Sequence, residues 1–170
     1  MADWPSGRKE SEDERLDRNL GELLQELRVA LPGVQVLFAF LLAVPFSSRF
    51  EKITQFEKNV YFGTLLCTAV SAALLISPSA YHRLTFHFQQ KRELIKIGNR
   101  ATIVGLGFLA LSMVGAVVMI TDVLFGGATT YLVGAAVFAM FAVLWYALPL
   151  WRRIKLIQRH GWPPDPPAGP

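Results

Sequence analysis

The side chains of this chain that could do chemistry are few and scattered. His82 and His87 stand five apart, about 140° from each other on a helix, whereas a helical metal pair uses i and i+4. They read as interfacial histidines rather than ligands. Cys67 is the single cysteine, so neither an intramolecular disulfide nor a cysteine cage for a metal can form. No serine sits in a G-x-S-x-G setting, no Walker or GxGxxG loop is present, and no carboxylate pair has the surroundings of an acid and base. Gly105-Leu106-Gly107 lies inside an apolar run. These patterns point away from an enzyme: no residue is assigned to catalysis, to a metal or to a cofactor, and none is required.

What remains is a set of neutral polar residues inside apolar runs: Gln35, Thr64, Thr68 and Ser71, with Thr102 and Ser112, and Asp122 at the end of one run. Gln35, Thr64, Thr68, Ser71 and Asp122 are the candidates for lining an ion path. Proton and sodium pathways generally carry a charged residue near the bilayer centre, and no run here contains one. The simpler role for the hydroxyls is hydrogen bonding between helices, for ~0.6 to 2 kcal/mol each. A second cluster is basic: Arg83, Lys91, Arg92 and Lys96 are candidates for contact with anionic lipid, at ~1 kcal/mol of attraction each.

The elements that position these residues follow from the distribution of charge. Of 170 residues, 52% are hydrophobic and 18% charged. Four runs, about 30–46, 60–77, 101–121 and 130–150, contain no Asp, Glu, Lys, Arg or His. At ~1.5 Å per residue each is long enough to cross a ~30 Å hydrocarbon layer. A cytosolic enzyme and a nucleic-acid binder are excluded as first readings. The segments that alternate between the runs carry fourteen Lys and Arg on one side and three on the other, which puts both termini in the cytoplasm. The net charge of +4 follows from that bias. Tyr61 and Tyr131 are expected at the outer headgroups, and Tyr81, Trp145, Tyr146 and Trp151 at the inner ones.

Short outer connections at 47–59 and 122–129, the latter with Gly126-Gly127, predict antiparallel hairpins of spans one with two and three with four. Residues 1–10 form a charged tail that lacks the apolar core of a signal peptide, and 156–170 a Pro-rich tail; both are expected to be disordered. Ser11 and Glu14 suit a capping box, from which Leu16, Leu20, Leu23, Leu24 and Leu27 make one stripe of an amphipathic helix over 11–30, ending at Pro32-Gly33. Its other face carries Asp13, Asp17, Glu22 and Glu26, so the leucines are expected to pack on protein. Residues 78–100 read as a basic interfacial helix with Arg83, His87 and Lys91 along one side, on which the acidic helix is expected to dock, the alternative being two independent solvated charge faces. Small residues recur every four positions at Gly63, Cys67 and Ser71, at Ser112 and Ala116, and at Ala135 and Ala139, as close helix packing requires.

The run ELRVALPGVQVLFAFLLAVPF from Glu26, with PSAYHRL from Pro78 and GNRATIVGL from Gly98, resembles a family of small four-span actinobacterial membrane proteins classed as a domain of unknown function. The resemblance covers roughly residues 12–155. Some relatives carry the label sodium:proton antiporter, and the resemblance supplies no catalytic or ion-binding residues. The fold expected is all-α: an integral membrane four-helix bundle with an amphipathic cytoplasmic helix at its N-terminus, in the bacterial plasma membrane. Three functions stand open: an assembly or accessory subunit, a small cation/proton transporter, and a protein that binds anionic lipid. The expected partners are membrane lipids and either further copies of the chain or a larger membrane complex, not nucleic acid.

Overall fold

A computed structural model describes residues 12–48, 50–85 and 91–160. Helix α1 spans Glu12–Ala43, and two 3-10 turns, Val44–Phe46 and Phe50–Lys52, lead to α2, Gln55–Thr85. Helix α3 covers Lys91–Leu124 and α4 Gly127–Phe141; a π-helical segment, Ala142–Ala147, joins α4 to α5, Leu148–His160. Four stretches, Glu14–Phe46, Gln55–Tyr81, Leu94–Leu124 and Gly127–Gln158, are long and apolar enough to cross a membrane. The all-α class with four spans is therefore the one observed.

The boundaries differ from those expected wherever proline was read as a stop. The amphipathic segment and the first span form one helix that runs through Pro32. Gly33 does not adopt the left-handed conformation that ends helices; among the described glycines only Gly126 and Gly127 have positive φ. Of the basic segment 78–100, α2 continues through Pro78 to Thr85, and Lys91 already belongs to α3. The helix across His87 and the Ser11 cap fall outside the described residues, as do residues 1–10. At the other end α5 extends to His160, past the position 156 where a tail was expected; 161–170 lie outside the described residues.

Each proline removes the N–H that would close a turn on the carbonyl four residues earlier, and in an apolar layer that carbonyl needs another donor. Pro45 frees the carbonyl of Leu41, and the Tyr61 hydroxyl of α2 donates to it at 3.0 Å. Pro78 frees Leu74, whose carbonyl accepts from the Ser77 hydroxyl at 2.8 Å. Ahead of Pro149 the turn widens, with Leu148 N–H donating to the carbonyl of Val143, which moves the ring away from the carbonyl it would strike. Tyr61 was expected as an outer headgroup anchor; it is 7% exposed, because its hydroxyl serves the end of α1 and its ring meets Phe50 edge-on at 5.1 Å.

The chain divides into two compact units, residues 1–116 and 117–170. In the first, the residues of α2 described as buried are Glu57, Tyr61, Thr64, Thr68, Ser71, Leu75 and Pro78, at alternating steps of four and three. On α1 they are Leu20, Leu23, Leu27, Val34 and Leu41, in the same register. Steps that average 3.5 mark the knobs-into-holes seam of helices crossing at a shallow angle. The leucine stripe thus packs on protein, as expected, and does so as the beginning of a seam that continues beyond Pro32. A Cβ on Gly98 would lie 2.9 Å from Leu23 Cδ2 and 3.4 Å from Pro78 Cβ, so α1, α2 and α3 converge at this glycine. The N-terminal helix therefore docks on the base of α2 and α3 through apolar contact.

The second unit begins inside α3. Thr130 of α4 donates to Asp122 Oδ1 at 2.9 Å, and a Cβ on Gly134 would lie 2.7 Å from Val118 Cγ2. These pairs make the antiparallel hairpin expected of the last two spans. Its turn uses Gly126 at φ +64°, ψ −178°, a region open to glycine alone, and the N–H groups of Phe125 and Gly126 return to the carbonyl of Thr121 at 2.9 and 3.4 Å. Phe141 and Trp145, both half-buried, stack edge to face at 5.0 Å.

Three stability predictions follow, read as thermal midpoints in detergent. Tyr61→Phe keeps the ring and orphans the Leu41 carbonyl, so it should cost about 1 kcal/mol, and less in a Pro45→Ala background that returns a backbone donor; equal losses in both backgrounds would refute the carbonyl pairing. Gly126→Ala should cost about 1–3 kcal/mol. Gly63→Ala, with open space around its Cβ, should be neutral or stabilising by up to about 1 kcal/mol.

Candidate functional site

The polar residues singled out in the sequence are sorted by the structure into a packed group and two that stand apart from it. Thr64, Thr68 and Ser71 share the buried seam of α2, with Thr68 and Ser71 fully buried. Gln35 does not join them. It lies on α1 one residue past the buried Val34, and a step of about 100° turns it to the exposed side. Asp122 belongs to the second unit, where it is held by Thr130.

Within the seam each hydroxyl has a defined partner. Thr64 donates to the carbonyl of Val60 at 2.7 Å, and Thr68 to that of Thr64 at 2.8 Å, the back-bonding available to a threonine inside a helix. Ser71 donates across to the Gly105 carbonyl of α3 at 2.8 Å, where the missing Cβ permits the approach; an added one would meet Leu75 Cδ2 at 3.0 Å. On α3, Thr102 and Ser112 donate to the carbonyls of Gly98 and Phe108 at 2.9 and 2.8 Å. A Cβ on Gly115 would overlap the Thr64 hydroxyl, so α2 and α3 approach closely at the pairs 64 with 115, 71 with 105 and 78 with 98. Among the described residues no buried side-chain nitrogen or oxygen lacks a hydrogen-bond partner.

The small-residue stripes were therefore read one position out of register on α2. Gly63 is exposed, and Cys67 is half-buried; only Ser71 of that trio is on the seam. On α4 it is Thr130 and Gly134 that are buried, while Ala135 and Ala139 face outward. Small residues permit close approach but do not fix which face makes it, and here the threonine and serine stripe has the 3.5-residue period that stays on one side over many turns.

One residue of the seam was missed in the sequence. Glu57 is 6% exposed and sits four before Tyr61 and seven before Thr64. Its Oε2 accepts from Thr54 N–H at 2.6 Å, and its own N–H donates to the Thr54 hydroxyl at 3.2 Å, so Thr54-Gln55-Phe56-Glu57 is a capping box that opens α2. The T-x-x-E spacing and the steps 57, 61, 64, 68, 71 were both present in the sequence. This carboxylate, rather than Asp122, lies in line with the hydroxyls of α2.

Of the four basic candidates, Arg83 is exposed in the last turns of α2 and Lys96 is exposed in the second turn of α3. The approach of Pro78 to Gly98 gathers them at one end of the first unit. Lys91 and Arg92 open α3; their side chains lie outside the described ones. His82 lies within α2, its side chain likewise outside the described ones, and no group of three His, Cys, Asp or Glu that could hold a metal occurs among the described residues.

What the site can do follows from its donor set. It is a buried, neutral column of hydroxyls whose hydrogens point at carbonyls, with a carboxylate at one end fixed by a backbone N–H. That arrangement offers hydrogen bonds between and along helices, and no nucleophile with an adjacent base. No curated protein and no solved structure matches the chain. The model of a family of unknown function, DUF6328, matches residues 9–149, most of the chain and all of the first unit's packed seams. The chain belongs to the DUF6328 family.

Proposed function

We propose that the chain is a non-enzymatic multi-span protein of the bacterial inner membrane that serves as an assembly or accessory subunit. The observation that carries this reading is that, among the described residues, every buried polar side chain is satisfied within the chain: of the hydroxyls that could line an ion path, Thr64 and Thr68 donate to carbonyls of their own helix and Ser71 to one of α3. The outward faces are apolar over long stretches, with Phe40, Phe62, Ile103, Leu111, Leu132 and Phe138 among the exposed residues, the surface that suits lipid tails and other membrane helices.

The Lys and Arg asymmetry supports both ends in the cytoplasm. In that orientation the basic ends of the helices meet the inner leaflet: Arg83 and Lys96 in the first unit, and Arg152, Arg153 and Lys155 on α5. Lys155 Nζ stands 3.8 Å over the Trp151 ring, a pairing of cation and aromatic face suited to the headgroup layer. Contact with anionic lipid belongs to this reading as anchoring.

A second reading, a small cation/proton transporter, is favoured by one observation: Glu57 lies on the same stripe as Tyr61, Thr64, Thr68 and Ser71, the kind of buried carboxylate that ion pathways use. The two readings part in one experiment. The full chain, extracted from native membranes in mild detergent, should carry a stoichiometric companion, and in proteoliposomes it should show no cation-driven pH change. A cation-dependent pH change that disappears in Glu57→Gln would establish the transporter instead. Reporter fusions should put both ends on the cytoplasmic side; ends on opposite sides would overturn the orientation.

A further inference from the structure

Gln35 is the one strongly polar side chain that the first span turns outward. It is exposed, as are Pro32, Ala39 and Leu42, and the spacing 32, 35, 39, 42 places these four on a second stripe of α1 with the same alternation of three and four as the buried seam, about 120° around the helix from it. The amide stands about 10 Å along the helix axis from Arg28, the last charge before the apolar run. Among the described residues it has no hydrogen-bond partner, although every hydroxyl discussed above has one. A carboxamide facing hydrocarbon leaves two N–H donors and a carbonyl unmatched.

We infer that this face of α1 binds α1 of a second copy of the chain, with the two Gln35 amides paired at its centre. The chemistry selects a second copy. A carboxamide is both donor and acceptor, so it is its own complement. Copies inserted under the same Lys and Arg asymmetry share one orientation, and a two-fold axis along the membrane normal then sets each residue of the stripe against its own counterpart at equal depth. A foreign helix would have to bring a matching group to that depth; a second copy necessarily does. Ala39, one turn on, leaves room for the helices to approach, and a single polar residue in a 3.5-residue stripe is the device that sets register and copy number in paired helices. Arg28, one heptad earlier, reaches water from the end of the span. The pairing goes beyond the accessory-subunit reading and stands without it, since either role is compatible with two copies.

The test uses the full chain in native membranes with Cys67→Ala as background. Ala39→Cys, on the stripe, should give a disulfide-linked species of twice the chain's mass on mild oxidation. Leu66→Cys, exposed on α2, should not. Adding Gln35→Leu to Ala39→Cys should lower the association constant about tenfold, about threefold for each of two hydrogen bonds. The amide faces outward, so this change leaves the contacts within the chain in place. Equal cross-linking of Ala39→Cys and Leu66→Cys, no effect of Gln35→Leu, or a product whose mass shows a different protein would each overturn the inference.

Discussion

A backbone carbonyl in hydrocarbon has no water to turn to, and three of this chain's prolines, at 45, 78 and 149, each remove the donor that a carbonyl inside or at the edge of a span would have used. Three different repairs shape the molecule. A tyrosine from the neighbouring helix reaches Leu41, which clamps the top of α1 to α2. A serine next to the proline reaches Leu74, which lets α2 run on past Pro78. A widened turn precedes Pro149, which lets the last span continue into the basic α5. The adjustments at Pro78 and Pro149 let two helices run on past their prolines, and Pro78 meets Gly98, which also meets Leu23, at the base of the first unit.

The same constraint governs the side chains. Threonine and serine inside a span must donate somewhere, and in the first unit they donate to carbonyls of their own helix or of the helix alongside. Glycines on α3 admit them. The result is a seam that is polar in composition and neutral in behaviour, where closeness comes from missing Cβ atoms and direction comes from hydroxyls. A polar group in a span is therefore not by itself a sign of transport; what matters is whether its hydrogen-bonding capacity is already taken. By that criterion Gln35 and the Thr64 to Ser71 column, both once weighed as one path, have opposite characters.

Much of the fold was legible in the sequence, since charge-free runs of the right length identify spans and the Gly126-Gly127 pair identifies the tight hairpin. The leucine stripe from Leu16 was legible too. Its extent was not, because Pro32-Gly33 reads locally as a helix end while packing against α2 and α3 holds the helix together across it. Tyr61 read as a surface anchor since its partner, the Leu41 carbonyl freed by Pro45, is twenty residues upstream of the hydroxyl that finds it. Gly63 and Ser71 were placed on one face by a period of four, which drifts around the helix over two turns; the 3.5-residue period of Tyr61, Thr64, Thr68 and Ser71 was the one that counted. Glu57 escaped notice because its charge put it outside the apolar run whose seam it begins.

The central claim is that the hydroxyl seam of α2 is a dry packing surface. Its most direct test is cysteine accessibility along α2 in intact membranes, with Cys67 replaced by alanine and a small water-borne thiol reagent applied from each side. Cysteines at Thr64, Thr68 and Ser71 should all be inert. Reaction at these three, with the lipid-facing positions between them silent, would mean that water follows the seam and would contradict the account.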